Sequence, residues 1–167
     1  MSAHKTGTFL TAALLACALL TGGPARAAAH EYHWIGPGGK PGKPPAGWTS
    51  SVPLIAKADA AKGKEVAHAC MMCHTLKKDG GTKIGPNLYN VVNRPHAHVY
   101  GYSYSEAMKN MKMRPWSYEE LDSFLFDPKA HAPGTKMPYA GIKDTQKRAN
   151  LIAYLRTLSD HPAPLPK

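Results

Sequence analysis

The stretch "HACMMCHTLKK", residues 68–78, decides how the rest of the chain is read. Cys70 and Cys73 stand two residues apart, and His74 follows at once. The segment 58–70 before them is rich in helix formers, with Asp59 placed to cap its start. Near the end of such a helix the two cysteines lie about one turn apart, so both thiols face the same way. A zinc site would want about four N or S ligands, usually in two pairs. Here there is one Cys pair, and His96 and His98 follow at a spacing unlike a zinc finger's. A thioredoxin-type redox pair would want an α/β sheet around it, and no βαβ pattern is visible.

The start of the chain bears on what those thiols meet. Residues 1–29 carry a positive start at Lys5, an apolar run from Phe9 to Leu20, helix-breaking Gly22, Gly23 and Pro24, and small residues up to Ala29. This is the pattern of a secretory signal peptide, with cleavage near Ala27 or Ala29. Cleavage would remove Cys17 and leave only Cys70 and Cys73, in an oxidising compartment. It would also remove Lys5 and Arg26 but no acidic residue, lowering the net charge from +10 to +8. Nucleic acid is not an expected partner of an exported protein. An acidic protein partner or an anionic membrane surface fits this charge better.

The exported part divides by composition into a leader at 30–57, a domain at 58–160 and a tail at 161–167. The leader contains "IGPGGKPGKPPAGW", too dense in Gly and Pro for helix or strand. Tyr32, Trp34 and Trp48 are too apolar for an idle linker, so part of it is expected to dock on the domain. Within the domain the pattern predicts helices at 58–70, 105–113, 117–126 and 144–159. Ser117 with Glu120 has capping-box spacing, and Pro128 stops the third helix. The segment 129–141 reads as irregular. In the last helix Leu151, Ile152, Leu155 and Leu158 share a face, while Lys147, Arg148 and Arg156 lie off it. No strand pair and no repeat is visible. Short helices and long loops bury little apolar surface in about a hundred residues, so something else should fill the middle.

C-x-x-C-H is the attachment signature of c-type haem. Cys70 and Cys73 can form thioethers with the two vinyl groups of one porphyrin, and His74 can ligate the iron. For the sixth ligand the best candidate is Met137, in the loop "PGTKMPYAG", with Pro on both sides and no helix to bury a Met for packing. His131 and Met108 are its rivals.

With these pieces placed, residues 58–159 resemble a class I cytochrome c, through "CMMCHTLKKDGGTKIGPNL", "YSYSEAMKN", "PGTKMPYAGIK" and "RANLIAYLRTLS". The resemblance implies an all-α fold, with short helices and long loops around one covalently attached haem c. It implies His74 and Met137 as axial ligands, with the Pro86 carbonyl bonded to the other ring nitrogen of His74. It places Arg94, Tyr104 and Trp116 at the haem propionates and Thr135 beside the haem. Lys83, Lys129, Lys136 and Lys143 match lysines around an exposed haem edge. Phe124 and Met108 stand where many relatives have Tyr and Asn, which predicts a drier pocket. Ala67 stands where relatives commonly have an aromatic, and Trp34 or Trp48 is expected to cover that place.

Iron held by both His and Met has no open position for substrate, which points to an electron carrier rather than an enzyme. The expected function is a monomeric periplasmic single-electron shuttle. Its acidic partners would be a quinol-oxidising complex, a terminal oxidase or a periplasmic dehydrogenase. The long leader suggests the alternative of a dedicated cytochrome subunit of a periplasmic dehydrogenase complex. A haem enzyme or gas sensor is the third reading and would need an opened iron.

Overall fold

The computed structural model describes Met1 and residues 31–167. The expected signal peptide, its cleavage sites and Cys17 lie outside the described residues. Five α-helices are present among the described residues: α1 (Ala60–Met71), α2 (Glu106–Asn110), α3 (Tyr118–Phe126), α4 (Pro128–His131) and α5 (Thr145–Thr157). A 3-10 helix, Val52–Lys57, precedes them. Pairing between extended segments is limited there to two isolated bridges, Ile35 with Pro41 and Pro95 with Pro115. Among the described residues no helix is long and apolar enough to cross a membrane.

Each of the five α-helices starts at a side-chain cap, which satisfies backbone N–H groups that have no partner within the helix. Asp59 accepts from the N–H groups of Ala61 and Lys62 at α1. Ser105 serves α2, Asp127 serves α4 and Asp144 serves α5 in the same way. Ser117 accepts from the Glu120 N–H at 3.2 Å. The box is only half made, because the Glu120 carboxylate turns inward to Arg114 instead of back to the helix start. Pro128 ends α3 as expected but also opens α4, since its fixed φ and missing N–H suit a first helical position. The segment 129–141 is therefore not wholly irregular. The second helix is shorter than its pattern suggested, running from Glu106 to Asn110.

Helices α1 and α5 cross at Gly63. A Cβ there would lie 1.9 Å from the Asn150 carbonyl oxygen, so only glycine allows this approach. Ala67 lies one turn further on α1, fully buried, in a core cluster with Val52, Ile55, Leu151, Ile152 and Leu155.

The leader does dock, but not where expected. The Trp34 ring meets Trp48, Phe126 and His131 edge-on at 5.7, 6.0 and 6.4 Å. The Trp48 indole donates to Asp122 on α3. The two rings therefore sit on α3 and α4, not over Ala67, and the leader residues that join Ala67 in the core cluster are Val52 and Ile55. Polar contacts fix the same segment: Ile35 N–H donates to Ser123 Oγ, and Ser51 bonds to Asp122. Arg148 departs from its expected place on the polar face of α5. It is fully buried and reaches Asp122, Ile142 and Thr49. The tail is held as well, through Tyr118 to the Pro164 carbonyl and Arg156 to the Ala163 carbonyl.

Candidate functional site: an apolar cavity at the CMMCH segment

The end of α1 delivers both cysteines, as the spacing requires. Cys70 is the next-to-last residue of the helix, and the N–H groups of Cys73 and His74 both bond to its carbonyl. That tight turn brings His74 directly behind the thiols. Both cysteines are free and half-buried, and burial pushes the Cys70 thiol above its ordinary value.

His74 is 9% exposed and held from two sides. Its Nδ1 lies 2.7 Å from the Pro86 carbonyl oxygen. A carbonyl only accepts, so Nδ1 carries the hydrogen and Nε2 is left with a lone pair. Burial lowers the affinity of this ring for a second proton, more than the Pro86 bond raises it. Gly85 N–H donates to the Cys73 carbonyl, which sets the loop against the ring. A Cβ on Gly85 would lie 2.3 Å from His74 Cε1, so this close packing also requires glycine.

These groups open onto one cavity of about 220 Å³, far beyond the roughly 10–15 Å³ that holds a single water. Its lining is mostly apolar and includes Cys70, Cys73, His74 and Met137. Among the other expected residues, Pro86, Tyr104, Trp116 and Thr135 also line it. Thr135 Oγ1 accepts from the Met137 N–H at 3.3 Å, which ties the Met loop locally. The apolar substitutions Phe124 and Met108 both form wall.

Arg94 does not reach this cavity. Its side chain is exposed, while its backbone pairs with Trp116 and Val91. Of the two rivals to Met137, Met108 lines the cavity and His131 does not. His131 is fully buried, with Nδ1 2.7 Å from the Ile35 carbonyl. His98, which carried no expected role here, is part of the lining. Its position in a loop of positive-φ and Pro residues gave no periodic signal.

The four lysines expected at an exposed edge are all exposed. Lys83 donates to the Met71 carbonyl, Lys136 to Ser103 and Lys143 to the Phe126 carbonyl. Lys136 and Ile84, which is 76% exposed, both line the cavity.

Two free thiols from one helix end, an imidazole with its lone pair left open, a thioether and an apolar cavity make a donor set that fits covalent haem c. Comparison with known proteins agrees. Residues 60–159 match the sequence model of the family described as Cytochrome c. A cytochrome c homolog of Bradyrhizobium diazoefficiens is 43% identical over 114 residues, 68% of this chain and 61% of the relative. Cytochrome c2 of Blastochloris viridis is 40% identical, over 64% of this chain and 84% of the relative. The solved structure of cytochrome cH from Methylobacterium extorquens superposes with a TM-score of 0.54 at 39% identity, covering 60% of this chain and 99% of that one. Matches to the first cytochrome c homologs span about 60% of those relatives' own length. The chain belongs to the cytochrome c family: its cofactor is haem c with iron, and the work of that family is electron transfer, not catalysis.

Proposed function

We propose that this chain is a periplasmic single-electron carrier that shuttles between respiratory or similar membrane complexes. The observation that carries the reading is that Cys70, Cys73, His74 and Met137 all border one apolar cavity. The bound haem supplies a reversible one-electron couple at iron. Cys70 and Cys73 would hold it through thioethers, and His74 Nε2 and Met137 Sδ would ligate its iron. The Pro86 carbonyl fixes the tautomer and orientation of His74 and makes the ring a better donor. With both iron ligands supplied by the protein, little would need to move on electron transfer. The apolar walls, with Phe124 and Met108 among them, would disfavour the extra positive charge of ferric iron.

Exposed Lys83, Lys129, Lys136 and Lys143 provide a basic docking face for acidic redox partners. Such charge speeds encounter more than it tightens binding, which suits a shuttle. The leader was the feature that favoured a dedicated dehydrogenase subunit. Its packing on α3, α4 and α5 now gives it a role within the chain itself, which favours the shuttle.

The test is turnover by membranes of the host. Ferrous protein should be oxidised by them rapidly, with a rate that falls as salt rises and falls again when Lys83 and Lys136 are replaced by Glu. Oxidation that ignores salt and both replacements contradicts the docking reading. Oxidation only in the presence of one purified dehydrogenase contradicts the shuttle.

A further inference from the structure

Behind the Trp116 wall of the cavity lies a second cluster with no part in the function proposed above. His96 and His131 are fully buried and Glu120 is 2% exposed. Each comes from a different piece of chain: the loop after Pro95, the end of α4 and the first turn of α3. None of the three lines the haem cavity.

The hydrogen-bond partners fix what these groups present to one another. His96 Nδ1 lies 2.8 Å from the Arg114 carbonyl, and His131 Nδ1 lies 2.7 Å from the Ile35 carbonyl. Carbonyls only accept, so both Nδ1 atoms carry hydrogen and both Nε2 atoms turn lone pairs inward. Glu120 gives Oε1 to the Arg114 guanidinium, which leaves Oε2. Three electron-pair donors thus converge, all within 4.8 Å of one another. Oε2 lies 3.0 Å from His131 Nε2 and 3.9 Å from His96 Nε2.

None of these three buried atoms has a hydrogen bond of good alignment. A single proton on His131 would serve the 3.0 Å pair and leave His96 Nε2 buried without a partner, which native interiors avoid. A divalent cation serves all three. Zinc bonds N and O donors at about 2.0–2.1 Å, which puts neighbouring tetrahedral donors about 3.3–3.4 Å apart. The two separations bracket that value. Carbonyl oxygens behind both imidazoles and a guanidinium behind the carboxylate are the outer partners that metal-ligating side chains have. Trp116 stacks on His96 at 3.7 Å, and Trp34 and Phe124 flank His131, so the rings are locked and shielded from solvent.

We propose that His96, Glu120 and His131 form a buried site for zinc. Because the Ile35 carbonyl orients His131, the ion also fastens the leader to the helical domain. The proposal does not depend on the electron-carrier reading.

The test uses the full haem-loaded protein. Zinc and iron are measured after dialysis with and without a strong chelator. Zinc is then returned to the chelated sample while binding and melting temperature are followed, with magnesium as control. The expected result is about one tightly held zinc per iron and a melting temperature that rises with zinc and not with magnesium. Glu120→Gln and His96→Gln should lose this response, and His161→Gln, at an exposed histidine, should keep it. Should the variants fail to fold, the wild-type titration decides alone. Wild-type protein that neither holds zinc nor responds to it overturns the proposal, and so does zinc retained unchanged by folded His96→Gln.

Discussion

Arg148 Nε and Asp122 Oδ1 meet at 2.5 Å in the interior, with side chains 0% and 1% exposed. The pair joins α5 to α3, and around it gathers the leader. Trp48, Ser51 N–H and Ser51 Oγ all donate to Asp122, while the second guanidinium arm reaches the Thr49 carbonyl. Buried ions are tolerable only when nearly every donor and acceptor is satisfied. Here the leader supplies much of that satisfaction.

Breaking one half of this pair should therefore cost far more than removing both halves. Asp122→Asn or Arg148→Met is expected to destabilise the protein by about 3–5 kcal/mol in denaturant unfolding. The double replacement Asp122→Asn with Arg148→Met should lose clearly less than the sum of the two single losses. Additive losses would mean that the two charges act independently.

Deletion of residues 31–52 strips Asp122 of its Trp48 and Ser51 donors and uncovers Phe126 and His131. The melting temperature is expected to fall by several degrees or more, while the haem spectrum stays close to that of the full chain. An unchanged melting temperature would show that the docked leader contributes nothing to stability.

At the helix crossing, Gly63→Ala must push α1 and α5 apart, since its Cβ would lie 1.9 Å from a backbone oxygen. A loss of about 1–3 kcal/mol is expected, the usual cost of overpacking. Gly81→Ala, where a Cβ meets nothing within 4 Å, should be close to neutral.

Asp127 gives a pH dependence with a definite sign. Burial raises its carboxyl, but the Ala130 N–H and Lys143 outweigh that and leave it below its ordinary value. A carboxyl depressed in the folded state adds stability above its unfolded pKa of about 3.9 and loses it as pH falls towards the folded value. Asp127→Asn should therefore be less stable than wild type at pH 7. The gap should close as urea unfolding is repeated down to about pH 2. A gap that stays constant over this range would assign the loss to shape, not charge.

The attachment segment was legible because chemistry, not packing, dictates its spacing: two thiols one turn apart and an adjacent imidazole. The caps at Asp59 and Ser117 were legible too, because they are local. What escaped were groups whose partners lie far away in sequence. Arg148 looked like a surface residue on a helical wheel, since its partners Asp122 and Thr49 are 26 and 99 residues away. Glu120 read as half of a capping box, His131 as a rival axial ligand to Met137, and His96 as a zinc candidate at the wrong spacing. Trp34 and Trp48 were rightly expected to dock, but periodicity carries no information on which surface an irregular segment meets. Arg94 came from a resemblance, and its side chain is exposed outside the cavity lining.

The most direct measurement is the ferric absorption spectrum of the wild type beside Met137→Ala and Met108→Ala. Wild type and Met108→Ala should both show the long-wavelength band of methionine–iron ligation. Met137→Ala should lose it and admit an added ligand such as imidazole or cyanide readily, with haem still attached through Cys70 and Cys73. A Met137→Ala spectrum that matches the wild type, or a wild type that lacks the band, would contradict a His74–Met137 electron carrier.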